Sequence, residues 1–135
     1  MKQRIVALGG ALVLCAAQIA HADVVDDLLK GYEAQGAADF SAARGDTQWH
    51  NAYPDPKEPG KTRDCTTCHG KDLKAPGKHA TTGKTIDPLA PSVNKKRLTD
   101  AKEIEKWFNR NCKWVLGREC TPQEKGDFLS YLRQQ

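Results

Sequence analysis

Cys65-Thr66-Thr67-Cys68-His69 constrains this chain more than any other stretch of its 135 residues. Two thiols two residues apart, followed at once by an imidazole, form a C-x-x-C-H arrangement. Thiols about one helical turn apart can add across the two vinyl groups on one edge of a porphyrin. The imidazole after the second thiol then falls beneath the iron and supplies its proximal ligand. The motif therefore predicts one covalently attached haem c, carried by Cys65 and Cys68, with His69 on the iron. The other ring nitrogen of His69 needs a backbone carbonyl to fix its tautomer, and Pro76 and Pro88 are both candidates. A redox C-x-x-C would need a βαβ setting, which the surrounding Pro, Gly and Lys do not supply. A zinc site would need a second pair of ligands at matching spacing.

Haem attachment of this kind belongs to exported chains, and the N-terminus reads as an export signal. Met1-Lys2-Gln3-Arg4 is basic, residues 5–17 are apolar or small, and Ala20-His21-Ala22 offers small side chains at a cleavage site. The expectation is a signal peptide over residues 1–22, a haem domain over residues 23–135, and a periplasmic location. The apolar stretch is short for a membrane span. Cys15 follows Leu14, where lipoprotein processing wants a small residue. Beyond residue 22 there remain 113 residues, with 19 Lys and Arg against 17 Asp and Glu. So small a surplus gives no argument for nucleic acid. A chain of this size builds only a modest apolar core, so a staple or a cofactor is expected.

Cys112 and Cys120 flank seven residues that include Gly117. In an oxidising compartment they read as a disulfide that holds the end of one helix beside the start of the next. The remaining pattern is all helix and loop. Val24, Leu28, Leu29 and Tyr32 have helical spacing before Gly36, and a second helix is expected over residues 41–49. Residues 53–61 and 74–93 read as loops because of their Pro and Gly. Asp100-Ala101-Lys102-Glu103 has capping-box form and opens a helix with Ile104, Trp107 and Phe108 inward. Thr121-Pro122-Gln123-Glu124 opens another, with Phe128, Leu129 and Leu132 on one face.

The sixth ligand is less legible. Met1 is the sole methionine, so a Met thioether is chemically excluded from the processed chain. His50, His79, a Lys, an Asn, water or no ligand remain, and by residue type a second His ranks first. Both histidines adjoin Pro- or Gly-rich stretches, where a partly solvated loop histidine is equally expected. Trp107 could pack on the porphyrin or simply fill a helix interface. Asn94-Lys95-Lys96-Arg97 is the one basic run. It could serve as a docking patch, as a counter-charge to the haem carboxylates, or as a solvated loop, and it is given no role.

Several stretches together resemble the sphaeroides haem protein family, small exported cytochromes c of class I-like fold with an asparagine axial ligand. These are Gly31-Tyr32-Glu33-Ala34, residues 65–70, residues 82–92, Leu98-Thr99-Asp100, Glu105-Lys106-Trp107, Arg110-Asn111-Cys112 and residues 117–122 with Glu124-Lys125. The resemblance covers most of residues 28–133 and is weakest at 53–61. It implies an all-α, class I cytochrome c-like fold wrapped around one covalent haem, with long loops. It places the distal ligand on Asn111, at the end of the helix opened at Asp100, and a disulfide on Cys112 and Cys120. Asn109 is the nearest competitor. The implied function is single-electron transfer, with electrons delivered from a membrane di-haem cytochrome b. On reduction Asn111 would leave and O2, NO or CO would bind. The alternatives are a plain electron carrier with a closed bis-His site, and a haem enzyme acting on a small nitrogen or oxygen species.

Overall fold

A computed structural model describes residues 23–55 and 57–135. The expected leader over residues 1–22, with Cys15, lies outside the described residues. Among those described, the order is α1 (Val24–Glu33), α2 (Ala42–His50), β1 (Tyr53–Pro54), β2 (Thr62–Arg63), α3 (Thr66–His69), β3 (Gly77–Lys78), β4 (Thr85–Ile86), α4 (Ala101–Leu116) and α5 (Pro122–Leu132).

Each long helix begins where a side chain can satisfy its free N–H groups. The carboxylate of Asp23 accepts from Val25 N at 2.9 Å, and Ser41 Oγ accepts from Arg44 N at 3.3 Å. Asp100 Oδ1 accepts from Lys102 N and Glu103 N at 2.8 and 3.1 Å. Thr121 and Glu124 form a complete capping box, with Pro122 in the first turn. Glu103 does not close the reciprocal half of such a box. Its carboxylate instead accepts from Lys106 Nζ and Trp107 Nε1. The last turn of α4 ends at Gly117, whose φ of 73° is the left-handed conformation that glycine adopts without strain.

Helix α5 is the element on which the others pack. Its Leu129 meets Val25, Tyr32 and Ala37 from the α1 side. On its α2 side, Phe128 and Leu132 join a second buried cluster with Trp49, Leu73, Ala90, Cys112 and Cys120. Gly45 lets α2 approach closely, for a Cβ there would lie 2.7 Å from the Asp127 carbonyl carbon and 2.8 Å from Tyr131 Cβ. Asp127 is fully buried. It accepts from Ser41 N at 2.7 Å and from Arg44 Nε and Nη2 at 2.9 and 3.0 Å. These bonds tie α5 to the start of α2 and fix the α2–α5 register.

Three expectations need correction. Trp107 is not inward: it is 44 % exposed, with Lys106 and Arg110 over its ring. The buried stripe of α4 runs Ile104, Phe108, Cys112, Val115, at spacings of four, four and three. Position 107 falls on the neighbouring stripe. Helix α4 does not end at Asn111 but continues to Leu116, so Asn111 is no helix terminator. The two loops each hold a small antiparallel ladder, Tyr53↔Arg63 with Pro54↔Thr62, and Gly77↔Ile86 with Lys78↔Thr85. Two-residue strands are too short to show an alternating pattern.

Candidate haem site

Asp64 organises the attachment motif. Its Oδ1 accepts from Thr66 Oγ1 at 2.7 Å and from Thr67 N at 2.9 Å. This winds Cys65 and the residues after it into the single turn of α3. His69 N then reaches Cys65 O at 3.1 Å, so the two thiols and the imidazole project from one helical turn. Gly70 follows with a φ of 70° and turns the chain away. Cys65 N also donates to Trp49 O at 3.3 Å, which ties the motif to the end of α2.

Cys65 and Cys68 are both half-buried and are not bonded to each other. Burial pushes Cys65 up to about 12, with the charges of Asp64 and Cys68 adding to the shift. A dithiol used for redox exchange needs the opposite, a stabilised thiolate, so the thioredoxin-type alternative loses its chemistry. Burial also pulls His69 down to about 4, and the Arg97 charge acts in the same direction. The imidazole is therefore neutral at ordinary pH, as a metal ligand must be. The Trp49 indole lies beside it, with ring centroids 5.4 Å apart.

Of the two carbonyls considered for His69, that of Pro88 is already occupied. It accepts from Asn94 Nδ2 and from Arg97 Nε, each at 3.0 Å, and a carbonyl oxygen has two lone pairs. The residue after Pro76, by contrast, presses on the motif. A Cβ on Gly77 would run into the Cys68 carbonyl oxygen and lie 3.0 Å from His69 Cα. Of the two carbonyls, that of Pro76 adjoins the residue that packs on the motif.

The stripe of α4 next to its buried face carries Trp107, Asn111 and Trp114, at spacings of four and three. Trp107 and Asn111 are exposed and Trp114 is half-buried. Arg63, two residues before Cys65, stacks its guanidinium on the Trp114 ring at 4.2 Å. That contact joins the Asn111 stripe to the attachment segment. Asn109 is about 200° round the helix from Asn111. It lines a groove of about 610 Å³ with Lys102, Glu105, Lys106, Glu119 and Lys125 on another side of α4. Cys112, adjacent to Asn111, is bonded to Cys120, with their Cα atoms 5.5 Å apart. His50 Nδ1 faces Asp46 O at 2.9 Å. His79 Nδ1 accepts from Thr81 N and Thr82 N at 3.2 Å, within the β3–β4 connection whose Ala80 N reaches Cys68 Sγ at 3.4 Å. Both histidines are exposed.

These residues fit a haem. Among the described residues, Trp49 Nε1 and Arg63 Nε are buried donors without a partner. Such donors match the carboxylates of a porphyrin, and each unpaired one costs stability. Arg63 itself is 6 % exposed, and its one ion pair is to Asp55 at 3.5 Å. Sequence reasoning missed Arg63, Trp114 and Gly77. The spacing of Trp107, Asn111 and Trp114 was a usable signal, whereas nothing local marks Arg63.

Residues 35–132 match the profile of a family described as a domain of unknown function, DUF1924. The cytochrome c-type protein SHP of Cereibacter sphaeroides is 45% identical over 108 residues, 80% of this chain and 81% of that protein. The chain belongs to the sphaeroides haem protein family. A solved structure described as oxidised SHP, an oxygen binding cytochrome c, superposes with a TM-score of 0.72 at 43% identity, covering 82% of this chain and 96% of that one. Cytochrome c'' of Methylophilus methylotrophus is 45% identical over 73 residues, 54% of this chain and 51% of that protein. The oxidised cytochrome c'' structure superposes with a TM-score of 0.71 at 32% identity, covering 83% and 94%. Membership of the sphaeroides haem protein family makes this a mono-haem c-type cytochrome of cytochrome c fold, with covalently attached haem c. No helix among the described residues is long and apolar enough to cross a membrane.

Proposed function

We propose that Cys65 and Cys68 hold the haem as thioethers, with His69 proximal and Asn111 distal in the oxidised protein. The exported, periplasmic protein then passes single electrons and, once reduced, takes up a small diatomic such as O2, NO or CO. The observation that carries this reading is the place of Asn111. It stands on an outward stripe of α4 between Trp107 and Trp114, one residue before the Cys112–Cys120 bond. When bound, the haem would supply a redox-active iron.

The chain's own residues supply the rest. His69 is neutral and keeps its lone pair free for the proximal bond, while the Pro76 carbonyl fixes its tautomer. The Asn111 amide, a neutral and weak donor, would hold ferric iron better than ferrous. The Cys112–Cys120 bond limits how far the backbone at 111 can move. An amide so restrained would be near enough to donate its N–H to a small diatomic. Trp49 Nε1 and Arg63 Nε orient the haem carboxylates, and Trp107 covers the porphyrin face. That the relative SHP is described as an oxygen binding cytochrome c supports the diatomic part of the reading. The resemblance points to a membrane di-haem cytochrome b as electron donor.

Absorption spectra of the oxidised and reduced holoprotein, with and without CO, test this. Wild type should be six-coordinate when oxidised, open its sixth site on reduction, and shift with CO. Asn111→Ala should lose the ferric sixth ligand and keep its covalent haem. Its retention of O2 should weaken by about 0.5–1.5 kcal/mol, one neutral hydrogen bond. His50→Ala and His79→Ala should leave the ferric spectrum unchanged. A His variant that loses the low-spin ferric bands while Asn111→Ala keeps them would establish a bis-His electron carrier and sink the proposal.

A further inference from the structure

Behind the attachment turn, three aromatic rings stand in line. The Trp49 indole has its centroid 5.4 Å from the His69 imidazole and 6.1 Å from the Tyr131 ring, tilted by 46° and 48°. Helices α2 and α5 build this line together. A Cβ on Gly45 would lie 2.8 Å from Tyr131 Cβ, so a side chain there would hold the two helices apart. The next residue, Asp46, comes to the Tyr131 hydroxyl. Burial pushes that phenol up, and the charge and hydrogen bond of Asp46 add to the rise. Asp46 is itself exposed and pairs with His50 Nδ1 at 3.2 Å. The line thus runs from His69 to a carboxylate in contact with solvent. Its branch to Phe128, 6.1 Å from Trp49 and 6.2 Å from Phe108, leads nowhere, because a phenyl ring gives up an electron far less readily than an indole or a phenol. The other two tryptophans are differently placed. Arg63 lies over the Trp114 ring at 4.2 Å, and Lys106 and Arg110 lie over Trp107 at 5.4 and 5.6 Å. A cation over an indole stabilises the neutral ring and repels the positive charge left when an electron is removed. Among the described residues, Trp49 carries no such cation.

We propose that Trp49 and Tyr131 form an electron relay to the haem site, through which Tyr131 is oxidised in place of the porphyrin when the reduced protein meets a hydroperoxide. The inference rests on the reading of His69 as proximal ligand and of a sixth site that opens on reduction, since an open ferrous site is where a peroxide can bind. Hydrogen peroxide breaks its O–O bond by taking up two electrons and two protons, and two waters result. One electron comes from the iron, which passes from ferrous to ferric. The second comes from Tyr131 by way of Trp49, and both protons come from solvent. The phenolic proton of Tyr131 passes to Asp46, which leaves a neutral phenoxyl radical at the edge of the molecule. Asp46 decides that the oxidation rests on Tyr131 and not on Trp49. A phenol that has lost an electron is a strong acid, and a carboxylate within reach takes its proton at once. A soluble thiol can then return the lost hydrogen atom to Tyr131, becoming a thiyl radical in its turn.

The test mixes reduced holoprotein with equimolar hydrogen peroxide, freezes it within milliseconds and records electron paramagnetic resonance spectra. Wild type should show a phenoxyl signal whose splitting collapses when the protein is made with ring-deuterated tyrosine. Tyr131→Phe should lose that signal, and its haem absorption should bleach several-fold faster under repeated additions of peroxide. Trp49→Phe should delay the signal, and Asp46→Asn should weaken it. Tyr32→Phe and Tyr53→Phe should leave it as in wild type. A signal that survives unchanged in Tyr131→Phe would overturn the proposal. So would wild-type haem that turns ferric with no phenoxyl signal. Trp49 is buried. If Trp49→Phe fails to take up haem, Tyr131→Phe and Asp46→Asn decide by themselves, because Tyr131 is half-buried and Asp46 is exposed. Adding CO to the reduced samples separates the two readings. A CO shift without a phenoxyl signal removes the relay and keeps the open site, whereas no CO shift removes both.

Discussion

Gly77→Ala asks how closely the loop after Pro76 supports the attachment turn. A methyl group there would meet the Cys68 carbonyl oxygen head-on and would lie 3.0 Å from His69 Cα and 3.2 Å from the Cys68 carbonyl carbon. Carbon atoms pack comfortably at about 3.5–4.0 Å, so β3 must retreat from α3 by roughly 0.5–1 Å. The obstructing atoms are backbone, which cannot rotate aside. Overpacking of this kind costs about 1–3 kcal/mol. With a urea slope of about 2 kcal/mol per molar, the midpoint should fall by roughly 1 M. The retreat carries the Pro76 carbonyl away from His69, so the proximal bond should weaken as well. Urea unfolding of the oxidised holoprotein gives the first quantity, and the pH at which the ferric spectrum loses its imidazole ligand gives the second. Gly31→Ala is the control. It lies inside α1 with nothing within 4 Å of the new methyl, and should stabilise by about 0.4–1 kcal/mol. If Gly77→Ala lands within 0.5 kcal/mol of wild type, on the scale of an ordinary surface change, β3 does not brace the motif and the assignment of Pro76 falls with it.

Acid-acetone should leave the haem on wild type, while Cys65→Ala and Cys68→Ala should retain at most one thioether and yield less holoprotein. Extraction of the wild-type haem would refute covalent attachment. Thiol titration of denatured, unreduced holoprotein should find no free thiol, and reducing the Cys112–Cys120 bond should cost about 2–3 kcal/mol in the chain-entropy account. Two titratable thiols would remove the restraint on Asn111. Glu124 is held below the usual carboxylate range by its hydrogen bond to Arg118, with Thr121 adding to the effect. The folded state therefore binds its proton less readily than the unfolded chain does. The stabilisation is complete above the unfolded value of about 4.3 and is lost as pH falls through the lower, folded one. Glu124→Gln should cost about 0.5–1 kcal/mol at pH 7 and flatten the acid limb of the stability curve, and an unchanged limb would show that the pair is idle.

The helices were legible because their boundaries are chemical. Ser41, Asp100 and Thr121 each cap an N-terminus where a helix was expected to start, whereas the end of α4, expected at Asn111, lies at Gly117. The attachment motif was legible because its chemistry fixes its spacing. What escaped was the assignment of faces on α4. Ile104, Trp107 and Phe108 are all apolar and lie within one turn, so periodicity sees a single broad stripe. The fold divides it, turning Ile104 and Phe108 to the protein core and Trp107 outward with Asn111. Sequence spacing does not distinguish a surface buried against the chain from one intended for a cofactor. The contact of Arg63 with Trp114 joins residues far apart in sequence through a loop that carries no periodic signal. The occupancy of the Pro88 carbonyl likewise depends on where Asn94 and Arg97 return in space.

The dominance of α5 in the packing has a kinetic consequence. Trp49 and Val25, far upstream, find their apolar neighbours on a helix that begins only at Pro122. The pair that sets the α2–α5 register, Arg44 with Asp127, spans 83 residues. Contacts of such long range are slow to form, because a large loop must close before they repay its entropy. Until α5 arrives, α1 and α2 lack a large part of their apolar contacts, and the turn at Cys65 remains in an open chain. The fold thus delays its own closure past the attachment motif, and the thiols stay accessible during the interval in which a haem could still be fitted.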